Sequence, residues 1–378
     1  MSRTTIKLSA RDYNRAISPD KLNAQAQRTN KNIIINGGMQ VAQRSTSTVT
    51  VGDSSNEGYS TVDRFGLQFN ASAGGACEMS QSTDTPDGFA NSVKIKCSTA
   101  DSAHTGTESI YLDQRIEAQN LQPLGYGTSG AKTMTISWYM KTVNYTDPIS
   151  LAFETRDGTS EYYVKSYTPT TSWARYTCTV PASTSATFAN DNGRGLDVKF
   201  VIAGSSSGTN AAASDSTAWS TTRADYRNDI GNFVVSTSNE IYITGVQLEI
   251  GDKATDFEHE SFSETLEKCH RYYTKSWTYG SAVTTTGGII TASNVGSVHR
   301  SFGNVFWPTE MRVAPTVTWY SGETGTSNKW RNNSDGADIT AASAMAAIGT
   351  KGYGFVLSAG ISAITDSLHG HYEASAEL

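Results

Sequence analysis

Two groups of residues in this 378-residue chain have types and spacing suited to chemistry: His369-Gly370-His371, and Trp330 within SNKWRNNSDG. In an extended strand His369 and His371 face the same way, about 7 Å apart. Three such pairs on a threefold axis would present six nitrogens, an octahedral set for iron or a similar metal. Only one motif of this kind occurs, and surface histidines are the plainer reading, so no metal and no other cofactor is expected. Trp330 stands among Asn328, Arg331, Asn332, Asn333 and Asp335. An exposed ring there could stack on a pyranose while amide, guanidinium and carboxylate groups take the hydroxyls. Trp219 and Tyr226, in the polar stretch 203–227, also fall outside any alternating core pattern. The expected glycan contacts are therefore Trp330, Arg331, Asn332, Asp335, Trp219 and Tyr226. The competing reading of Trp330 is a loop aromatic packed on a neighbouring subunit.

Catalytic signatures are missing from the sequence. It has no His-Glu-x-x-His and no phosphate-cradling glycine loop. Asp113 with Glu117, or Glu258 with Glu260, are carboxylates close in sequence, but same-face carboxylates in a sheet are mostly solvated or structural. The expectation is a binding or structural protein, not an enzyme. Cys77, Cys97, Cys178 and Cys269 have no paired short spacing, so zinc is not expected and free, buried thiols are.

Composition narrows the class. Only 17% of residues are charged, while Ser, Thr, Gly and Asn abound, as in all-β proteins with Thr in strands and Gly or Asn in turns. No apolar run reaches the roughly 20 residues of a membrane helix. The opening MSRTTIKLSARDYNRA lacks the apolar core of a signal peptide, so synthesis in a cytoplasm without export by that route is expected. Charge is uneven: residues 1–32 carry +5 and the remainder −11. Such a basic arm suits docking on an acidic partner, with Arg3, Lys7, Arg11, Arg15 and Lys21 as candidate contacts. Ser18-Pro19-Asp20 reads as a helix start, though Leu22 and Ala26 make a thin apolar stripe that needs a partner. An acidic body without a basic aromatic stripe argues against nucleic acid.

The elements that position these residues read as β. From Asn32 onward about a dozen strands follow, the clearest being Thr133 to Lys141, where Met134, Ile136, Trp138 and Met140 share one face. Ile230 to Val235 and Ile241 to Ile250 close the series, the latter with a slip at Gly245 that suits a bulge. Two packed antiparallel sheets, a jelly roll, are the expected fold, with Ala203 to Arg227 a rim loop. Trp138 and Trp173 are expected in the core, and Trp307 and Trp319 bracing a second domain. Ser261 and Glu264 have capping-box spacing ahead of Phe262, Leu266, Cys269 and Tyr273, which predicts a short amphipathic helix. Beyond it come strands over 282–292, 300–307, 316–320, 353–358 and 370–376; Thr340 to Ile348 reads equally as helix or strand.

Some of these segments resemble a known family. GVQLEIGDKATDFEHESFSETLEKCHRYY, NIIINGGMQVAQRSTS, DRF at 63–65, QRIE at 114–117, WARY at 173–176, FWPTEMRVAPTVTWYS and the final HYEASAEL are similar to segments of bacteriophage tail-fibre and related virion proteins. That resemblance, over roughly residues 32–378, implies an arm at 1–32 for attachment to other virion proteins and a jelly roll at 33–260 like a carbohydrate-binding module. It further implies a connecting helix at 261–276 and a distal β-sandwich at 277–378. The whole would be a homotrimeric fibre on the particle surface, with the helix near the axis, that attaches to host glycans without inserting in a membrane. A head-fibre or capsid-decoration protein with no dedicated receptor is the alternative. Jelly rolls of this type often hold a structural calcium ion, but no acidic cluster in the sequence calls for one.

Overall fold

The computed structural model describes residues 31–52, 58–70, 73–281, 283, 290–294, 301–340, 343–357 and 367–378. Arg3, Lys7, Arg11, Arg15 and Lys21, and the helix expected from Ser18, lie outside them.

The first domain is a jelly-roll sandwich. Its strands are β1 (Val49–Gly52), β2 (Gly66–Asn70), β3 (Ala76–Ser82), β4 (Ser92–Thr99), β5 (Ser109–Glu117), β6 (Met134–Val143), β7 (Ile149–Thr155), β8 (Tyr162–Tyr167), β9 (Ala174–Val180), β10 (Arg194–Gly204), β11 (Ala211–Ala212), β12 (Tyr226–Arg227) and β13 (Glu240–Ile250). One sheet runs β1-β3-β4-β13-β6-β9 and the other β2-β5-β10-β7-β8. Period-two alternation places Met134, Ile136, Trp138 and Met140 of β6 in the space between the sheets, against Phe200 and Ile243 among others.

The β13 slip is a bulge: its register to β6 shifts between Thr244 and Gln247, and Gly245 has φ +62°. A Cβ there would lie 2.7 Å from Phe89 Cζ and 2.9 Å from Tyr139 Cδ2, so glycine is required both by dihedral and by space. Past the bulge, Gln247 and Glu249 leave the core side and clamp the returning chain. Thr255 N–H donates to Glu249 Oε1 at 2.8 Å, and Glu258 N–H to Gln247 Oε1 at 2.8 Å. Asn32 N–H donates to Glu258 Oε2 at 2.9 Å, which ties the start of the domain to its end.

Two first-domain expectations change. Ile230 to Val235 is not a strand; Phe233–Val235 forms a 3-10 turn whose Asn232 side chain accepts from Val234 N–H. The stretch 203–227 does not hang on the rim. It folds over the outer face of the five-stranded sheet, with Ser220 and Tyr162 exchanging backbone hydrogen bonds and Tyr226 packing on Ala152, Val164 and Val201.

Helix α1 (Phe262–His270) starts with the expected capping box between Ser261 and Glu264. It buries Thr265 and Cys269, while Phe262 is 48% exposed. The helix ends three residues earlier than its stripe suggested, because Arg271 to Lys275 are pulled into the second domain.

That domain comprises β14 (Tyr273–Lys275), β15 (Ile290–Asn294), β16 (Ser301–Phe306), β17 (Thr316–Ser321), β18 (Trp330–Asn332), β19 (Ala337–Ile339), β20 (Ser343–Gly349), β21 (Gly352–Leu357) and β22 (Ser367–Ser375). They form one sheet ordered β19-β18-β22-β15-β16-β21-β20, with β14 and β17 also on β22. Residues 343–349 are thus strand. Trp319 of β17 lies 5.0 Å from Tyr353 of β21, and Trp330 of β18 lies 5.2 Å from Phe355. Strands on opposite sides of β22 meet only if the sheet folds over, so both layers of this sandwich come from one sheet.

Gly245→Val should destabilise the chain by about 3 kcal/mol, from a left-handed β-branched residue plus overpacking against Phe89. Urea unfolding followed by tryptophan fluorescence would show it as a lower midpoint with unchanged slope.

Candidate functional site

The two domains meet on a buried ionic network. The turn before β2 supplies Asp63 and Arg64, the segment before β1 supplies Arg44, and β5 supplies Arg115 and Glu117. From the other side come Arg271, Tyr272 and Tyr273 after α1, and Glu377 after β22. Arg64 is 1% exposed; it ion-pairs with Glu377, and its guanidinium lies 3.5 Å from the Tyr272 ring centroid. Arg44 pairs with Glu377 at 3.2 Å and lies 3.7 Å from the Tyr273 ring centroid. Arg271 grips Glu117 with two bonds of 2.7 Å, and the Tyr272 hydroxyl donates to the same carboxylate. Burial works to raise the Glu117 pKa, but these bonds and the Arg271 charge outweigh it and hold the carboxyl below its usual range. Arg312 completes the seam, donating to the Ala376 and Glu377 carbonyls at 2.8 and 2.9 Å and to Asn192 O at 3.0 Å.

Beside this seam lies a cleft of about 510 Å³. Its floor follows from strand register: Tyr273, Ser375 and Thr316 form one row across β14, β22 and β17, and Glu373 and Thr318 continue it in the next row, where Glu373 also pairs with the buried Lys275. These positions lie on the face opposite the aromatic core. Trp277, half-buried, forms one wall, and Arg44, Val49 and Tyr59 the other. Glu373 accepts from the Tyr320 hydroxyl at 2.6 Å and the Tyr273 hydroxyl at 3.0 Å, so two phenols fix its carboxylate at the cleft floor. Lys275 is 5% exposed; its ammonium lies 4.7 Å from the Trp277 ring centroid and 3.5 Å from Ser281 O. Burial lowers its pKa from 10.5 to about 8, against the opposing pull of Asp63 and Glu373. The cleft thus offers the Trp277 ring with Tyr59 and Tyr273, the phenol-held Glu373 carboxylate and the hydroxyls of Thr316, Thr318 and Ser375.

No family model matches the chain, and no curated protein matches it. Among solved structures it is similar to the enzymatically active domain of tailspike protein 4 of bacteriophage CBA120, at 11% identity and a TM-score of 0.30. That match covers 58% of this chain, which spans only 22% of the length of that one. It is also similar to a family 11 carbohydrate-binding module of a cellulosomal cellulase of Clostridium thermocellum, at 13% identity and TM-score 0.28, covering 57% of this chain and 99% of the module. A family 22 carbohydrate-binding module of a Clostridium thermocellum enzyme matches at 11% identity and TM-score 0.28, over 53% and 99%.

The residues expected to bind glycan are placed otherwise. Trp330 is 2% exposed, because it begins β18 and points into the core between Trp319 and Phe355. Asn332 is fully buried and donates to Asp335 at 2.9 Å across the β18–β19 turn. Arg331 faces outward but is tied to Glu323 and Asp338. Tyr226 is 0% exposed, and Trp219 packs edge-on against Tyr126 and Phe153 while its Nε1 donates to Pro181 O at 2.7 Å. These residues form no common site. His371 is 2% exposed, with Nδ1 3.0 Å from Ser276 Oγ, and Trp277 packs on its ring. It is therefore sealed inside its own chain, not displayed on a surface for sharing between subunits. Among the described residues no group of three or more His, Cys, Asp or Glu is placed to hold a metal. Trp277, Glu373 and Lys275 are not among the expected contact residues; the alternation of Lys275 with Trp277 beyond the helix is the signal the sequence carries for them.

Two outcomes follow. Trp330→Ala should cost roughly 3–5 kcal/mol of stability as a core cavity, seen as a large drop in the melting temperature of the second domain. For Lys275, the folded pKa of about 8 lies below the ordinary 10.5, so the unfolded chain binds the extra proton between those values. The penalty is therefore fully present below pH 8 and fades as pH approaches 10.5. Lys275→Met should raise the melting temperature at pH 7, and a titration of that gain should show it shrinking as the pH rises past 8.

Proposed function

We propose that the chain is a phage virion appendage protein that attaches to host-surface glycans by non-covalent contact in the cleft between its two domains. The observation that carries this reading is the cleft's chemistry: a half-buried Trp277 beside a floor of hydroxyls and the phenol-held Glu373. A pyranose has an apolar face for the ring and hydroxyls for the carboxylate, and such convergence of few polar groups on an aromatic wall defines a small-molecule site. The similarity of the sequence segments to virion proteins supports the biological setting. In this reading the protein is made in the host cytoplasm and displayed on the particle, where residues 1–32, with their +5 charge, dock on another virion protein. The homotrimer belongs to the same proposal, and the 48% exposed Phe262 on α1 supplies an apolar contact for a symmetry mate. Several copies would raise weak single-site binding through avidity. In this reading the chain binds and does not cleave, with Glu377 engaged by both Arg44 and Arg64.

A second reading, a head-fibre or decoration protein with no receptor, is favoured by a specific observation. Arg44 and Glu377 at the cleft wall are already committed to the interdomain seam, and Tyr226 and Trp330 are buried. Trp277→Ala separates the two. The glycan reading expects an intact fold by circular dichroism and binding to host-surface polysaccharide weakened about tenfold or more. Particles carrying that variant and adsorbing like wild type would leave the decoration reading standing.

A further inference from the structure

Two of the four thiols face each other across a strand pair. Cys77 on β3 and Cys97 on β4 are register partners, and both are 0% exposed, on the core side of the six-stranded sheet. The kind of pairing matters. Cys97 N–H donates to Asn239 O at 3.0 Å, toward β13 and away from β3. In a central antiparallel strand the N–H and C=O of one residue point to the same side, so toward β3 Cys97 sits at a non-hydrogen-bonded site. Opposed residues at such sites have Cα atoms about 4.5 Å apart and the closer-set side chains. A disulfide asks for Cα atoms roughly 4.4–6.8 Å apart and Cβ atoms roughly 3.5–4.5 Å apart. The hydrogen-bonded site next along, Glu78 opposite Lys96, would set the side chains farther apart, and on the other side the register shifts between Ala76 and Cys77.

We propose that Cys77 and Cys97 are a disulfide site: a cross-strand bond that closes the β3–β4 hairpin when the chain meets an oxidising medium. In the reduced chain both are free, and the Cys97 thiol lies 3.5 Å from Thr99 O and 3.6 Å from Val234 O, weak contacts that a χ1 rotation gives up. The oxidant class is a low-molecular-weight disulfide such as oxidised glutathione. One thiol loses its proton and attacks a glutathione sulfur, releasing one glutathione as a thiolate. The second thiol, deprotonated in turn, attacks the protein-bound sulfur, forms the Cys77–Cys97 bond and releases the second glutathione. Two electrons pass to the oxidant and two protons to solvent. Burial pushes the Cys77 thiol up, with the neighbouring Cys97 adding to it, so the reaction proceeds while the hairpin is open. The opening is local, since only the four-residue edge strand β1 lies outside β3. Cys178 on β9 and Cys269 on α1 have no register partner of their kind, so the bond is selective.

The test refolds the full chain from urea with oxidised glutathione, and in parallel incubates the folded chain with it. Remaining thiols are then capped with N-ethylmaleimide and the digest read by mass spectrometry. The expected product is a linked Cys77–Cys97 peptide pair, lighter by two hydrogen atoms than the reduced pair, with Cys178 and Cys269 capped. The oxidised chain should melt roughly 5–10 °C higher than the reduced one, and Cys77→Ser should abolish both the link and the rise. The comparison of oxidised with reduced wild type needs no variant to fold. Cys77 and Cys97 both capped after refolding, each carrying its own glutathione, or linked to Cys178 or Cys269, would overturn the proposal.

Discussion

A guanidinium with almost no access to water is the constraint on which this structure turns. Arg64 would give up several kcal/mol of hydration on burial, and only a carboxylate in contact offsets that. Glu377 is that carboxylate, and its charge keeps Arg64 protonated against a burial that would lower its pKa. Glu377 follows β22, so the central strand of the second domain must run to the jelly roll to satisfy a residue in the turn before β2. Tyr272 covers the guanidinium from above, which fixes where α1 must end. Burying the pair adds little net stability beyond what an apolar pair would give. What it does is admit one relative placement of the domains, since any other leaves a charge buried alone.

This explains why the short motifs were visible in sequence while their meaning was not. DRF holds Arg64, QRIE holds Arg115 and Glu117, the run after the helix holds Arg271, Tyr272 and Tyr273, and HYEASAEL holds Glu377. Each looked like a separate architectural tag, and together they are one seam. The same holds for QLEIGDKATDFE, where Gln247 and Glu249 reach the backbone of Thr255 and Glu258. Spacing along the chain shows that such residues recur; it does not show which distant backbone they cap.

Strands were legible where alternation lasted long enough to be unambiguous, as in β6 and β13, and so were the capping box and the bulge glycine. Trp330 was misplaced for a definable reason. β18 has three residues, too few to show a period, and its neighbours Asn332 and Asp335 are polar because they bond each other across a tight turn. Polar composition there reflects a closed hairpin, not an open binding loop. Tyr226 went the same way: the polar stretch around it makes backbone hydrogen bonds to β8, and the Tyr226 ring fills the layer beneath. The sequence pattern of a rim loop and of a loop folded over a sheet is the same, and only tertiary contact separates them.

The cleft inherits its shape from the seam. Arg44 and Tyr273 belong to both, Arg44 as the cation over the Tyr273 ring and Tyr273 as the phenol that donates to Glu373. A ligand that bonds Glu373 therefore competes for lone pairs with a hydroxyl whose ring is held by the interdomain arginine. Binding and domain placement are then coupled through a single side chain: a change that frees Tyr273 alters the carboxylate's remaining acceptor sites, and a change that tilts the domains moves Arg44 off its ring. The floor itself cannot adapt, because β14, β22 and β17 are paired along consecutive residues and their opposite face is packed with tryptophan and tyrosine. Rigidity of that kind limits the ordering cost of binding, so selectivity here would rest on the wall contributed by the first domain, where the seam holds Arg44 in place.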